Sequence, residues 1–516
     1  MTDEEGWQRL DPRKLLLDPV KTAGQFLLPA VVAVLGVSSS GSAWPLWAVP
    51  LLVIAPIAFG VLPWVTTRYR ITDTAFQQRS GLLNTKQLSA PLDRIRSVDL
   101  EASLLHRVLG LAKVQIGTGV DDTRITLDAL AVPQAEELQH YLLARRTTAA
   151  AEPASESDER SPGPPPRADE AQVLARIDWS WLRFAPFSLS RLAVVAGAIG
   201  VLSQFGDELP FLDQEHLSSA WGWLSAIAIP LIVLTALVVG LVGWTVISVA
   251  GYVLQWWGLM LVRDHGLVRL TAGLVTTRST SVEEARIRGV ERTEPVLLRL
   301  VGGGELATLA TGVGVGGVTK VLPPCPVQVT TDVGHTLLKE DSPLSVPLLP
   351  HGPLARRRCH VRAQWPTLGL TGLAVVPTVA LDLGWWVPVL VLVALGALGV
   401  LTAEMAWRHL GHALTDLHLV AGSGALERTR TVLERDGVIG WVLRQGFFQR
   451  RLGLATLVAT TAAGAERVVI RDLALGPAVA LADAAVPGLL TPFLARQPNG
   501  PPPTGERPSG TSVAQG

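Results

Sequence analysis

The sequence predicts an α+β membrane protein in which three transmembrane helical hairpins are each followed by an antiparallel β-sandwich or barrel domain with a C-terminal helix. Three observations support this fold class. The 516 residues are 48% hydrophobic and only 17% charged, six long apolar stretches arrive in pairs, and a β-patterned segment after each pair repeats the one before it. Such a chain is too apolar for an ordinary soluble protein and too long for one domain.

Six stretches approach the roughly 20 apolar residues that a helix needs to cross about 30 Å of hydrocarbon. The predicted spans are 22–40, 45–65, 186–206, 226–250, 365–382 and 385–405. Lys and Arg flank the pairs, whereas the connectors within the pairs carry neither. Because basic flanks stay in the cytoplasm, we expect a multi-pass protein of the inner cell membrane with both termini and all three β domains cytoplasmic.

Most of the 16 tryptophans flank these stretches. Trp64, Trp256 and Trp407 end the second span of each pair or follow it closely. Their amphipathic rings favour the membrane–water interface, so we predict interfacial anchors. An aromatic ligand site is the alternative interpretation.

An internal triplication follows from glycines at fixed spacing. Seventeen residues before Gly81, Gly273 and Gly424 lies one of the three tryptophans named above. An arginine follows each of these glycines by 26 residues, and a second glycine follows by 29. The repeated positions are Arg107, Arg299 and Arg450 for the arginines, and Gly110, Gly302 and Gly453 for the second glycines.

Each copy alternates apolar and polar positions, which is typical of strands. In the first copy the predicted strands are 69–76, 86–92, 95–100 and 113–116, with a turn at 79–81 and a helix over 134–145 after Pro133. Thr72-Asp73 and Thr415-Asp416 occupy the same place in the first and third copies. They indicate a turn supported by a side chain.

The motifs Pro91–Ile95 and Leu104–Leu111, with Phe447–Leu454 in the third copy, resemble the bacterial pleckstrin-homology (PH)-like membrane-domain family, specifically its YdbS/YdbT-like members. The resemblance implies a small β-sandwich or open barrel capped by a helix, and a role in envelope stress or antimicrobial-peptide tolerance. It does not imply phosphoinositide binding.

The predicted division of the chain combines the spans, the repeats and two polar segments too poor in apolar residues to form a core. It comprises a leader with the first hairpin (1–65), PH-like domain 1 (66–147), a disordered linker (148–170), the second hairpin (171–252), PH-like domain 2 (253–341), the third hairpin with its lead-in (342–406), PH-like domain 3 (407–496) and a disordered tail (497–516).

The candidate ligand residues are arginines, because a guanidinium binds phosphate or carboxylate through two parallel hydrogen bonds. Arg107, Arg299 and Arg450 could receive a lipid headgroup or a partner's carboxylate, or could pin their own domains through a carbonyl or carboxylate. Arg94 and Arg96 lie near the membrane junction of the first copy and are surface candidates. Gly437 replaces the arginine found at Arg94 and Arg286.

Catalytic chemistry has no positive support in the sequence. Cys325 and Cys359 stand outside any CxxC motif, the histidines show no metal-ligand spacing, and no nucleophile motif occurs. The Gly312–Gly317 motif is followed by strand and proline rather than a helix, which argues against nucleotide binding. Balanced charge gives no sign of nucleic-acid binding. We predict no enzymatic activity, cofactor or metal, and identify no small-molecule substrate.

The expected function is a membrane scaffold that displays three PH-like domains for binding protein, a copy of itself or lipid headgroups. The alternative is a six-span transporter or channel component with PH-like regulatory domains, because prolines such as Pro56 and Pro230 lie within spans. Against transport, most of the spans lack ionisable residues in their interior.

Overall fold

The computed structural model describes residues 7–18, 64–72, 74–81, 85–92, 95, 97–117, 125–149, 171–187, 224–312, 318–380 and 384–490. Within these residues the chain forms three β units of seven strands each, and every strand pair is antiparallel. The unit is therefore the structural form of the repeat in the sequence.

Each unit begins with a four-stranded N-terminal sheet. Its strands are β1 (Gln8–Arg9), β2 (Arg68–Ile71), β3 (Ala75–Ser80) and β4 (Lys86–Pro91) in the first unit, β8 (Gln172–Arg176), β9 (Met260–Asp264), β10 (Leu267–Ala272) and β11 (Thr277–Glu283) in the second, and β15 (Leu349–Pro350), β16 (Gly411–Leu414), β17 (His418–Ser423) and β18 (Glu427–Glu434) in the third.

A three-stranded C-terminal sheet completes each unit. Its strands are β5 (Ser97–Ala102), β6 (Leu111–Gly117) and β7 (Ile125–Ala131) in the first unit, β12 (Ile287–Pro295), β13 (Gly303–Ala310) and β14 (Val318–Pro326) in the second, and β19 (Gly440–Arg444), β20 (Leu454–Thr460) and β21 (Arg467–Ala474) in the third.

Helices occupy three recurrent places. Short helices follow the first strand of each C-terminal sheet, longer helices follow its last strand, and the longest helices lie between the first and second strands of a unit. They are α1 (Leu104–Leu109), α2 (Val132–Ala149), α3 (Leu224–Trp256), α4 (Val296–Leu300), α5 (Val327–Leu338), α6 (Gly352–Ala380), α7 (Trp386–His409), α8 (Phe447–Arg451) and α9 (Leu475–Ala485), with 3-10 helices at Trp179–Phe187, Glu284–Arg286 and Arg435–Gly437.

The repeated glycines have a common physical reason. Gly81, Gly273 and Gly424 all have positive φ, with values of 106°, 117° and 99°, at the turn between the third and fourth strands. A Cβ atom at Gly273 would overlap the carbonyl oxygen of Thr276. Only glycine satisfies both conditions, so the triplicated spacing marks a turn that this fold requires.

The predicted turn at Thr72 is confirmed. Its hydroxyl oxygen accepts a hydrogen bond from the Ala75 backbone N–H at 3.0 Å, and Thr415 does the same for His418 at 3.0 Å. This turn corrects one prediction, because the segment 69–76 is not a single strand. It contains the end of β2, the turn and the start of β3.

The leader strands β1, β8 and β15 precede the segments predicted as hairpins but pair with the first strand after them. Gln8 pairs with Tyr69, Val173 with Val262 and Leu349 with His412. β pairing therefore crosses the predicted domain boundaries, and each segment predicted as a hairpin interrupts the sequence of a β unit.

Alternating burial along the strands places one face of each sheet in a core. In β10 every second residue is buried, including Val268 and Leu270. The first unit's core contains Phe76 and Val98, and the third unit's contains Leu457 and Ile470. The second unit's core extends into the third unit through Val420 and Val432.

Two described helical segments are long and apolar enough to cross a membrane, Val238–Trp256 in α3 and Trp386–His409 in α7. The spans 22–40, most of 45–65 and most of 186–206 lie outside the described residues. The fifth predicted span falls in α6, which does not meet this criterion over the residues described. Helices α6 and α7 do pack together, with a hydrogen bond from the Thr367 hydroxyl to the Leu395 carbonyl at 3.2 Å.

Candidate functional site in the junctions between units

The units are joined edge to edge by their sheets. In the first junction β5 pairs with β11, so that the C-terminal sheet of the first unit and the N-terminal sheet of the second form one seven-stranded sheet. In the second junction β12 pairs with β18 in the same manner. The described units are therefore joined into a linear array by their sheets.

The first junction is stabilised by side chains from both units. Glu101 and Arg278 are directly opposite each other and form an ion pair at 3.8 Å. The Arg107 guanidinium donates a hydrogen bond to the carbonyl oxygen of Leu274 at 2.6 Å. A cavity of about 690 Å³ lies beside this junction and reaches Trp256 at the end of α3. Opening the junction would change the walls of this cavity.

The second junction is longer. Its paired residues run from Gly289 opposite Leu433 to Pro295 opposite Glu427. Arg288 and Glu434 form an ion pair across it at 3.0 Å. Burial raises the pKa of Glu291 on this junction, although its carboxylate accepts a hydrogen bond from Thr431 at 3.1 Å.

Both junctions have the same register. The residue twenty positions after Gly81 is Glu101, and it faces Arg278, which lies five positions after Gly273. The same two offsets place Thr293 opposite Thr429 in the second junction. The repeat therefore includes the way in which one unit meets the next.

Arginines gather on one face of the second junction. Arg292 faces Arg430 and Glu294 faces Arg428, with Arg299 nearby on α4. Burial lowers the pKa of Arg292, Arg299 and Arg430, and the neighbouring arginines lower those of Arg299 and Arg430 further. Nη1 of Arg299 is buried and meets no acceptor within the described residues. Arg292 forms an ion pair with Glu294 at 2.8 Å, and the remaining positive charge of the cluster favours an anionic group.

A buried carboxylate connects α6 to the third unit. Asp472 on β21 is 1% exposed and has positive φ (56°). It faces Arg358 of α6 at 2.5 Å and accepts a hydrogen bond from the Gln449 amide at 2.8 Å. A buried charge is tolerated only when it is paired and hydrogen-bonded, so this contact fixes the helix to the sheet.

The first unit has a related contact. Asp128 on β7 faces Lys14 of the segment after β1 at 3.4 Å and His106 of α1 at 2.9 Å. His106 and Gln449 both lie 25 residues after the repeated glycine. In the second unit that position is Leu298, which packs in the apolar core with Phe184.

Two histidines pair beside the third leader strand. Nε2 of His351 lies 3.0 Å from Nδ1 of His412, and Nδ1 of His351 is 2.6 Å from the carbonyl oxygen of Arg471. Burial lowers the pKa of both rings, and that of His412 falls to about 4. The lowered pKa values favour the neutral form of both rings. Two rings alone do not make a metal site, and no group of three or more potential ligands occurs within the described residues.

The predicted arginines do not converge on one pocket. Arg107 donates its hydrogen bond to the next unit rather than to its own. Arg299 lies in the arginine cluster at the second junction. Arg450 is exposed on α8, at the end of the array. Arg94 and Arg96 lie outside the described residues.

The three tryptophans pack against protein. The Trp64 indole N–H donates to the carbonyl oxygen of Leu10 at 3.1 Å, Trp256 is buried in the second unit's core, and the Arg356 guanidinium lies 4.8 Å from the Trp407 ring centre. Interfacial anchoring stays a prediction for Trp64 and Trp407, whereas the burial of Trp256 indicates packing.

The sequence pattern did not identify Asp128, Asp472 or the pairing of the junction strands as parts of a site. A signal for the two acids was present, because each interrupts an apolar strand near its end. No comparable signal identified the pairing.

The model of the family described as Bacterial PH domain matches residues 24–146 and 368–485. These two stretches of the chain match bacterial PH domains. The matched residues fall in the first and third units. The second unit lies outside the matched residues but has the same strand order.

The UPF0699 transmembrane protein YdbT of Bacillus subtilis (strain 168) is 22% identical over 273 residues. The alignment covers 52% of this chain and 54% of the relative, so the chain spans about half the length of the curated relative it matches. No solved structure shows a significant match. With the two apolar helices, these similarities indicate a bacterial PH-domain membrane protein related to YdbT.

Proposed function

We propose that this chain is an integral membrane scaffold. Three transmembrane hairpins would hold the PH units on the cytoplasmic face of the inner membrane, with both termini cytoplasmic, and the array would bind protein, a second copy or lipid headgroups. We also propose that the chain has no catalytic activity of its own.

The observation that carries the proposal is the shared register of the two junctions. Domains that act independently need no fixed pairing with their neighbours, whereas a scaffold requires defined spacing between binding surfaces. The buried contact between Asp472 and Arg358 supports the same conclusion, because it links the array to a helix of the third predicted hairpin. The arginine cluster of the second junction favours an anionic group as one of the bound species.

Sidedness is tested by single cysteines at exposed positions of the three units, made as Leu104→Cys, Val173→Cys and Ile439→Cys. The natural residues Cys325 and Cys359 are buried, so they give little background. In oriented membrane vesicles, a membrane-impermeant maleimide should label all three positions from the cytoplasmic side only. Labelling of any one from the opposite side overturns the proposed topology.

Partner binding is tested by crosslinking in native membranes and purification of the full chain. We expect a reproducible bound protein or enriched anionic lipid, reduced by the junction variant Gly289→Ala and kept by Gly437→Ala. Isolated monomers without bound lipid or partner contradict the scaffold. Solute flux in reconstituted vesicles would instead support a transporter.

A further inference from the structure

Each junction between units pairs two kinds of strand edge. Among the described residues, one edge of each kind is left without a partner strand. Each unit offers the fourth strand of its N-terminal sheet and the first strand of its C-terminal sheet. The junctions pair β5 with β11 and β12 with β18. The two strands of these types that remain are β4 in the first unit and β19 in the third, and each is the last strand of its sheet among the described residues.

These two strands lie at opposite ends of the array. They are the same two kinds of strand that pair with each other at the internal junctions. Unpaired edges expose backbone N–H and C=O groups that readily pair with another strand. The register of the existing junctions, applied to β4 and β19, places Arg444 opposite Lys86, Leu443 opposite Gln87 and Val442 opposite Leu88. All five residues of β19 then face residues of β4.

The surface around β19 is apolar and exposed. Leu443 is 43% exposed, and Phe447 and Phe448 of α8 are 61% and 56% exposed. In the second unit, Val296 and Leu297 occupy the positions of these two phenylalanines and are partly covered at the second junction. Arg450 occupies the position from which Arg107 binds the next unit, and it too is exposed.

We propose that β19 of one copy pairs with β4 of a second copy in the register of the two internal junctions. The contact joins two different surfaces, so it leaves a free β4 and a free β19 on the resulting dimer. Assembly therefore continues into a row of PH units, unless the rotation between copies closes a ring. The inference rests on the proposed scaffold function and names the second copy as the partner.

One feature of this pairing opposes it. Lys86 and Arg444 carry like charges at directly opposite positions, where the first junction has the ion pair of Glu101 and Arg278. Like charges at such positions destabilise a strand pair. The contact between copies is accordingly weaker than it would be with opposite charges, which provides a sensitive test.

The register is tested with two differently tagged full-length chains, one carrying Leu443→Cys and the other Gln87→Cys. Directly opposite residues on antiparallel strands have Cβ atoms about 4.5–5.5 Å apart, which permits a disulfide. Mild oxidation of the mixed, detergent-solubilised chains should give a mixed dimer. Leu443→Cys with Leu88→Cys is the control one residue out of register and should crosslink far less. Equal crosslinking of both pairs, or none, overturns the proposal.

The affinity is tested with Lys86→Glu, which replaces the like charges with opposite ones. By sedimentation velocity in detergent, this variant should associate roughly threefold to tenfold more tightly than the natural chain. Arg176→Glu makes the same change in charge on the leader strand β8 and should leave association unchanged. An equal effect of both variants overturns the proposal. If crosslinking fails while all three units label from the cytoplasmic side, only this inference falls; labelling on opposite sides removes the scaffold itself.

Discussion

Gly289→Ala should open the second junction while leaving both adjoining PH units folded. Gly289 has no positive φ, so alanine fits its backbone. Its Cβ atom, however, would overlap the carbonyl oxygen of Val432 and lie 3.1 Å from the Cα atom of Leu433 on the neighbouring strand. The cost therefore arises from the contact across the junction.

The free-energy cost of opening the junction follows from the hydrogen bonds that must break. Separating the strands at this end loses about two backbone hydrogen bonds at about 1 kcal/mol each, and residual overpacking brings the local cost to roughly 2–3 kcal/mol. Because 1.4 kcal/mol is about a tenfold change in an equilibrium constant, amides of β18 should exchange with solvent roughly 30- to 150-fold faster.

Hydrogen exchange followed by mass spectrometry measures this change in peptides covering β18. Gly437→Ala is the matched control, because its Cβ would lie 3.4 Å from Cβ of Arg288, an ordinary contact. Unchanged exchange in β18 of Gly289→Ala, or equal acceleration by the control, would refute the steric argument. Loss of protection throughout the second unit would show a folding defect instead.

Three further predictions concern stability. Asn tolerates positive φ, so Asp472→Asn changes mainly the charge that faces Arg358. Thermal denaturation in detergent should show that the free energy of unfolding falls by about 3 kcal/mol. The loss should not add to that of Arg358→Gln, because both substitutions break the same ion pair. Because the pKa of His412 is about 4 in the folded state and about 6.5 when unfolded, the apparent Tm of the third unit should fall as pH decreases from 6.5 to 4; His412→Gln should flatten that profile. Arg107→Ala should speed proteolysis at the first junction by removing an exposed hydrogen bond worth about 0.5–1.5 kcal/mol, whereas Arg450→Ala should not. Additive losses, a profile unaffected by the substitution, or equal proteolysis would contradict the respective predictions.

Local geometry was the part of the fold that the sequence revealed best. The turn at Thr72 and the glycine at 81 were predicted because each depends on a few adjacent residues. The segment 69–76 was wrongly treated as one strand, because apolar residues on both sides of the turn continue the same alternation.

Long-range pairing was not predictable from the pattern. The edge of β5 meets β11 across 175 residues of sequence, from Ala102 to Thr277, and no periodicity encodes which edges remain free. The repeated arginines share one position of the repeat, but their contacts differ because each depends on what lies beyond its own unit. Arg107 has a neighbouring unit to bind, and Arg450 lies at the end of the array.

The leader strands impose an order on biosynthesis. In the third unit about 60 residues, including α6 and α7, separate β15 from its partner β16. At about 5–20 residues per second, a ribosome takes roughly 3–12 s to make that segment. During this interval the nascent β15 lacks its partner, so maturation of the sheet is delayed until both helices have been synthesised. Completion of the sheet is thus kinetically coupled to the synthesis of the two helices.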